Sequence, residues 1–422
     1  MQVLLVHPPI FDFTAYDFWL RPYGMMRAAA RLARSCRFTF FDYLTTAKKD
    51  SWGRGRFEGE IVAKPDAFRD IPRRFRRFGR PRAEFRKFLL SRKRSSVFDV
   101  ALIQTSMTYW YPGVREVIED IHALAPDVKI VLGGVYATIC AKHAANLGAD
   151  LVIRGANLNP LYELLGVERG EPARGSIPGS LQEENMDVGV LKLSDGCPFH
   201  CTYCAAPMMW EGFTPRGLDE CVEDFRRLVA AGAKDIAFYD DALLYRADEV
   251  ILPFLDAISA PTGKAPRARF HTPNALNARF MTPELARRMV KAGFSSFFLG
   301  FESGAQAWQT ATGGKVSAGE FEAAVKYLRE AGASAIFAYI IAGHPDADVQ
   351  EPENSIRLAR RLGVRVMLSE FSPIPGTADG RKCARWTDLA EPLSHNKTAF
   401  ALRRLGAGRL NRLKDLARRD IS

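Results

Sequence analysis

Over the first 165 residues, short apolar and β-branched runs alternate with stretches whose apolar positions recur at helical spacing. This is the pattern of a parallel sheet covered on both faces. Gln2–Val6, Arg37–Phe41, Asp99–Gln104, Lys129–Leu132 and Asp150–Ile153 are expected as strands. Tyr23–Arg34 after Pro22, Gly113–Leu124 after Pro112, and a stretch near Ala137–Leu147 are expected as helices. Small residues follow the strand ends at Gly133-Gly134 and Gly155, so a ligand crevice is expected along that carboxyl edge. Thr45–Val97 interrupts the alternation. In it Phe68, Phe75, Phe78, Phe85 and Phe88 recur near helical spacing, which predicts amphipathic helices laid over the outside of the module.

Residues 166–188 combine Gly, Pro and Ser with acids and show no period, so they read as a linker. A second series follows, with strands expected near Val188–Leu193, Asp235–Tyr239, Arg269–Thr272, Ser295–Phe301, Ala335–Ile341 and Arg365–Phe371. Helices are expected between them, at Leu218–Ala231, Glu249–Ala257, Pro283–Ala292, Ala318–Ala331 and Glu353–Leu362. Six strand-then-helix repeats predict a partial (β/α)6 barrel over 189–380, with its chemistry at the carboxyl ends of the strands. Residues 381–422 are left as a short helical extension. The fold class is therefore α/β, a Rossmann-like (flavodoxin-like) domain over 1–165 followed by that barrel.

Composition changes this picture little. At 422 residues, 47% hydrophobic and 25% charged, the chain suits two ordinary globular domains and an extension. No apolar run approaches the ~20 residues that span a bilayer, and the opening Met-Gln-Val-Leu-Leu-Val-His lacks a basic leader, so the cytoplasm is the expected compartment. The net charge of +11 is concentrated: Lys64 to Arg94 holds 13 Lys or Arg against three acids. Such a face would suit nucleic acid or an acidic substrate, but a solvated helical surface is the plainer reading, and nucleic acid is not the expected partner.

The seven cysteines are odd in number, with three inside eight positions, which does not suit a disulfide framework. Cys197-Pro-Phe-His-Cys201-Thr-Tyr-Cys204 follows the first strand of the second series, in a loop opened by Ser194-Asp195-Gly196. Three thiolates at this spacing can hold three irons of a cubane and leave the fourth open to another ligand, whereas structural zinc would want a fourth Cys or His. The C-x3-C-x2-C spacing with an aromatic before the last Cys resembles the signature of the radical S-adenosylmethionine (SAM) superfamily. The resemblance implies a 4Fe-4S cluster on Cys197, Cys201 and Cys204, chelation of SAM by the open iron, and cleavage to methionine and a 5′-deoxyadenosyl radical. It also implies an external electron donor of the flavodoxin or ferredoxin type.

The other strand ends agree with the resemblance. Asp240 or Asp241 after the second strand stands where family members bind the SAM amino group, and Asn274 after the third could reach the ribose or the substrate. Gly300-Phe301-Glu302-Ser303-Gly304 resembles the family's G-x-E-S segment, which places Glu302 and Ser303 near SAM. Ile340-Ile341-Ala342-Gly343-His344-Pro345 resembles the fifth-strand segment along the adenine, with Ile341 and Gly343 as its contacts. No catalytic side chain is assigned.

Before such a barrel, His7-Pro8-Pro9, Pro22-Tyr23-Gly24, Leu132-Gly133-Gly134 and Val152-Ile153-Arg154-Gly155 resemble the cobalamin-binding domain of the class B, B12-dependent radical SAM subfamily. Ser106, Thr108, Gly133, Gly134 and Tyr136 are then the candidate cobalamin contacts, and methyl transfer to an unactivated carbon of a small-molecule or peptide substrate is the implied reaction. The D-x-H-x-x-G segment that gives cobalt an axial His is absent, and Arg154-Gly155 continues as Ala156-Asn157-Leu158 where relatives have Glu-Gly-Glu. The rival readings are a radical SAM reaction without cobalamin or methylation, and RNA modification of the methylthiotransferase type using the basic insertion. The latter wants a second cysteine triad, and only Cys36 and Cys140 precede Cys197.

Overall fold

The computed structural model describes residues 1–92, 98–168, 187–259 and 268–418. It divides into two units, Met1–Glu184 with Glu391–Ser394, and Asn185–Ala390 with His395–Ser422. Most of the expected linker, residues 169–186, lies outside the described residues.

In the first unit β1 (Gln2–His7), β2 (Arg37–Asp42), β3 (Val100–Thr105), β4 (Lys129–Gly134) and β5 (Leu151–Val152) form one parallel sheet in the order β2-β1-β3-β4-β5. This is the flavodoxin-like winding, whose order reverses between β1 and β3. The strands are continuous apolar runs because both faces are covered. Helix Tyr23–Leu32 lays Met25, Met26, Ala29 and Leu32 against Val3, Leu5, Leu102 and Val131 on one face. Each of the buried Val, Leu and Met side chains contributes about 1.5–3 kcal/mol. The region near Ala137–Leu147 is two short helices, Val135–Ile139 and Ala141–Ala145, broken at Cys140.

The insertion departs from expectation. Among the described residues its one α-helix is Arg82–Arg92; the rest contributes to two small antiparallel sheets, Ile10–Asp12 with Arg76–Phe78 and Gly59–Ile61, and Tyr16–Asp17 with Gly55–Phe57 and Thr46–Lys49. Phe68, Phe75 and Phe78 are apolar anchors under these sheets, with Phe13 meeting Phe68 and Phe75 at 5.0 and 5.4 Å between ring centroids, whereas Phe85 and Phe88 do share a helical face, on Arg82–Arg92, and both pack on Phe41. Several of the arginines are engaged by carboxylates, while Arg73 and Arg74 are exposed. Arg77 is buried and bidentate on Glu116, and Arg82 and Arg86 both bind Asp120, carboxylates carried by helix Tyr111–Leu124.

In the second unit β6 (Val188–Leu191), β7 (Asp235–Phe238), β8 (Arg269–His271), β9 (Phe294–Glu302), β10 (Ile336–Ala342) and β11 (Arg365–Glu370) form a six-stranded parallel sheet in sequence order. Helices Leu218–Ala230, Ile251–Ser259, Pro283–Lys291, Ala318–Glu330 and Glu351–Arg361 alternate with them. Thr282 caps the third of these and Ser317 forms a capping box with Glu320 on the fourth, which fixes where each strand-end loop stops. Beyond residue 380, helices Lys397–Leu405 and Ala407–Arg418 pack on β11 and cover what would be an open edge. Glu370 at the end of β11 is held there by Thr398 and Lys414, both at 2.5 Å.

Candidate functional site

The chain leaves β6 through Lys192 and Leu193 into Ser194–Gly196, which pairs with Phe213–Pro215, and the three cysteines lie in the loop between these short strands. Asp240, just past β7, fixes the start of that loop. Its carboxylate accepts from the Leu193 amide at 2.9 Å and from the amide and hydroxyl of Ser194, both at 2.7 Å. Complete burial pushes its pKa up to about 6 even against those bonds and the Lys192 charge. With both oxygens so engaged, Asp240 is a positioning group for the cysteine loop. Its neighbour Asp241 is the more exposed of the two and pairs with Lys192 at 3.2 Å. Lys192 also pairs with Asp195 at 3.3 Å and lies 4.8 Å over the Trp210 ring.

Burial raises the pKa of the Cys197 and Cys201 thiols and carries that of Cys204 up to about 11, and the Lys315 ammonium acts on all three in the opposite sense. Burial opposes the charge on Lys315, and Glu302 with Cys201 and Cys204 more than offsets it, so the Lys315 pKa is raised. Its partner is Glu302 at 2.6 Å. Glu302 ends β9 in a left-handed conformation, φ +62°, which is strained for a residue with a Cβ and is held by this ion pair. Gly300 makes room for the pair: a Cβ there would meet Lys315 Nζ at 2.4 Å.

The far side of the cysteine loop is tied down by buried groups. The Thr202 hydroxyl donates to Asp379, the Asp379 amide donates to the Thr202 carbonyl at 3.0 Å, and the Thr202 amide reaches the Thr312 carbonyl at 3.1 Å. Asp379 also accepts from His344 Nε2 at 2.9 Å and from Lys382 at 2.8 Å. Burial works against its charge, but the bonds from His344, Lys382 and Thr202 prevail and hold its pKa far below the usual carboxylate range. His344 Nδ1 accepts from Trp308 Nε1 and the Asp346 amide, both at 3.2 Å, which leaves Nε2 as the donor to Asp379. Tyr203 stacks on Trp308 at 5.8 Å. On the near side Phe199 packs against Tyr245 and Phe280 at 5.9 and 5.8 Å.

Two observations bear on whether this loop suits a cluster. The Tyr203 hydroxyl is buried, and Cys201 is the group it meets, so its donor is directed at a proposed ligand sulfur. No three His, Cys, Asp or Glu side chains among the described residues converge on one point as a single ion would need. A cubane takes one thiolate per iron and does not require that convergence. The donor set fits a 4Fe-4S cluster.

The other expected contacts are placed as follows. Asn274 is exposed and donates to the Tyr239 carbonyl at 2.8 Å. The Ser303 hydroxyl is taken up by Glu351 at 2.7 Å. Ile341 packs with Phe371, Cys383 and Phe400, and Gly343 faces Ala401. In the first unit Gly133 has open space where a Cβ would stand, whereas Gly134, at φ +113°, is packed so closely that a Cβ would lie 2.1 Å from the Thr105 carbonyl oxygen. Ser106 is half-buried, and its carbonyl accepts from Tyr136. Thr108 is buried. Tyr136 is fully buried with its hydroxyl 2.5 Å from His143, so it serves the interior of the unit.

Lys315, Asp379 and Thr202 were not among the residues expected from sequence. The pair Gly313-Gly314 before Lys315, both at positive φ, marks a tight turn that returns the chain to the strand end; Asp379 carries no comparable local signal.

Residues 191–359 match the family model described as the Radical SAM superfamily. Among characterised sequences, the threonylcarbamoyladenosine tRNA methylthiotransferase MtaB of Thermotoga maritima is 24% identical over 286 residues, 64% of each chain. The present chain thus spans slightly under two thirds of that relative. Among solved structures, the radical SAM methyltransferase TsrM of Kitasatospora setae, with cobalamin and a 4Fe-4S cluster bound, superposes with a TM-score of 0.70. That match covers 98% of this chain and 90% of TsrM at 15% identity. The cobalamin-dependent radical enzyme OxsB gives 0.59 over 94% of this chain and 56% of its own, at 12% identity. At such identities the likeness is one of fold.

Proposed function

From the premise that this chain is a radical SAM enzyme, we propose that it cleaves SAM reductively at a cluster on Cys197, Cys201 and Cys204 and uses cobalamin to methylate an unactivated carbon. The observation that carries the first part is the cysteine loop at the end of β6, with the Lys315 ammonium between Glu302 and the thiols. When bound, the cluster supplies one electron to SAM, which yields methionine and a 5′-deoxyadenosyl radical.

The chain's own part is to hold, orient and exclude water. The Lys315 charge favours the thiolate forms that ligation requires. The Lys315–Glu302 pair offers one partner for each charge of an amino-acid zwitterion, and Asp241, next to Lys192, a second acid for an ammonium or sulfonium. Asn274, Ile341 and Gly343 remain the proposed contacts for the nucleoside. At Ser303 the hydroxyl is already engaged by Glu351, so its contact with SAM would run through the backbone.

For cobalamin the supporting observations are the carboxyl edge of a flavodoxin-like sheet, where Gly133 leaves the backbone open, and the fold likeness to TsrM over nearly the whole chain. Ser106 and Gly133 are the proposed contacts. Thr108 is buried, and Gly134 and Tyr136 support the edge from within. The RNA-modifying reading is weaker, because Arg77, Arg82 and Arg86 of the basic segment are spent on carboxylates and Cys36 is buried.

The test is anaerobic reconstitution with iron, sulfide and hydroxocobalamin, followed by metal analysis, an absorption spectrum and an assay for 5′-deoxyadenosine. Deoxyadenosine without retained corrinoid would remove the methyl-transfer half of the proposal. No deoxyadenosine from a fully loaded protein would remove the first half.

A further inference from the structure

Beyond Asp379 the chain emerges as Gly380-Arg381-Lys382-Cys383-Ala384-Arg385-Trp386, three cations and no acid. Arg381, Lys382, Arg385 and Trp386 are all exposed, Trp386 at 39%. Two guanidinium groups lie over the Trp386 ring, Arg385 at 3.8 Å and Arg404 at 5.0 Å from its centroid. Lys382 is engaged by Asp346 and Asp379, but neither Arg385 nor Arg404 reaches a carboxylate among the described residues. An exposed tryptophan flanked by unneutralised arginines is the composition of a protein-binding surface, in which Trp and Arg are the side chains that most often dominate affinity.

This surface is also the outer end of the packing that secures the cysteine loop. Trp386 meets Phe400 at 6.2 Å, Phe400 meets Phe371 at 5.8 Å, Phe371 meets His344 at 5.0 Å, and His344 meets Tyr203 at 6.4 Å, all between ring centroids. Tyr203 lies between Cys201 and Cys204. Two residues before Arg381, Asp379 bonds to Thr202 of the same loop. The basic patch is therefore continuous, through packed side chains, with the residues that flank the proposed cluster ligands.

We infer that the surface around Arg385, Trp386 and Arg404 is the docking site for an acidic one-electron carrier protein that reduces the cluster. The inference rests on the iron–sulfur reading above. In the encounter the carrier is oxidised by one electron, the cluster takes up that electron, and the carrier leaves. The patch is small, as suits electron-transfer encounters, which bury less surface than stable complexes and dissociate quickly. Its positive charge would steer the carrier at low ionic strength.

The experiment uses the full reconstituted chain with Arg385→Glu, Arg385→Ala and Trp386→Ala. The probes are a reduced flavodoxin, acidic and protein-sized, and dithionite, which needs no docking surface. Two readouts are taken anaerobically: bleaching of the iron–sulfur absorption, and affinity for oxidised flavodoxin by titration. We expect Arg385→Glu to slow reduction by flavodoxin by about tenfold at low salt, and Arg385→Ala by less, with the difference fading as salt rises to about 0.5 M. Iron content and reduction by dithionite should match the parent protein. Equal rates with flavodoxin in parent and Arg385→Glu would overturn the inference, as would an equal loss with dithionite, or RNA displacing flavodoxin from the patch. Arg385-dependent binding of flavodoxin to a protein that dithionite cannot reduce would sink the iron–sulfur reading while leaving the docking surface standing.

Discussion

Asp379→Ala probes the cysteine loop from a residue that ligates nothing. The carboxylate is fully buried and accepts from the Thr202 hydroxyl, from His344 Nε2–H at 2.9 Å and from Lys382 at 2.8 Å. Lys382 is 46% exposed and can turn to water, so its loss costs little. His344 is enclosed and costs about 1–3 kcal/mol when left unsatisfied, and the half-buried Thr202 hydroxyl adds less, for a sum of about 3 kcal/mol. Set against a domain stability of about 5–15 kcal/mol, the variant stays folded. The loss should be local. Hydrogen exchange at the Thr202 and Asp379 amides should speed up, and because Thr202 stands between Cys201 and Cys204, the iron retained after reconstitution should fall. Thr202→Val in the same background should add less than it does alone, by about 1 kcal/mol, since the two share a bond. The sign with pH is fixed by the depressed Asp379 pKa: the contribution is complete above the ordinary Asp value of about 4 and is lost as pH falls below it. The deficit of Asp379→Ala should therefore shrink in acid. A variant with parental amide exchange, full iron loading and strictly additive behaviour with Thr202→Val would refute the role assigned to this network.

Cys201→Ala should abolish deoxyadenosine formation while leaving the chain folded, since the loop contributes little core; undiminished product would end the cluster assignment. Gly133→Leu should block corrinoid uptake and spare SAM cleavage, whereas Gly134→Leu, which drives a Cβ toward the Thr105 carbonyl, should lower the melting temperature first; the reverse ranking would count against the proposed crevice. Arg77→Ala should destabilise the first unit by about 3–5 kcal/mol by stranding buried Glu116, and Arg77→Met with Glu116→Leu should recover most of it; thermal denaturation of all three decides. Asp240, raised to about 6, works opposite to Asp379: the fold favours its protonated form, so its contribution falls as pH rises from about 4 to 6. In thermal denaturation the parent should lose stability relative to Asp240→Ala over that window.

The two sheets were legible in sequence because their strands are buried runs with small residues at the ends, a signal carried by neighbouring positions. The cysteine loop was legible because its spacing is local. The insertion is helical as expected only over Arg82–Arg92, which carries Phe85 and Phe88; Phe68, Phe75 and Phe78 satisfy a helical period loosely, and only the pairing of Arg76–Phe78 with the distant Ile10–Asp12 makes that part a sheet. The pairing of Arg77, Arg82 and Arg86 in that segment was not visible for a similar reason. Their neutralising carboxylates sit more than thirty residues further along, on another element. Asp240 and Asp241 looked equivalent in sequence, and only the approach of Leu193 and Ser194 to Asp240 separates an anchor from an available acid. Lys315 and Asp379 reach the site from thirteen residues beyond Glu302 and 177 beyond Thr202, separations that no local pattern encodes.

The pairing of the arginine-rich segment with helix Tyr111–Leu124 has a consequence during biosynthesis. Arg77, Arg82 and Arg86 leave the ribosome before Glu116 and Asp120, by 39 residues in the case of Arg77 and Glu116. At about 5–20 residues per second that is an interval of a few seconds. Until the helix arrives, Arg77, which is buried in the finished unit, and the part-exposed Arg82 and Arg86 have only water and ribosomal phosphate to answer them. The segment therefore cannot mature as an independent piece, and a fragment ending before Tyr111 would leave Arg77, Arg82 and Arg86 without the carboxylates they meet in the finished protein. Split sites and circular permutations should accordingly be sought after Leu124, never between the arginines and the helix that completes them.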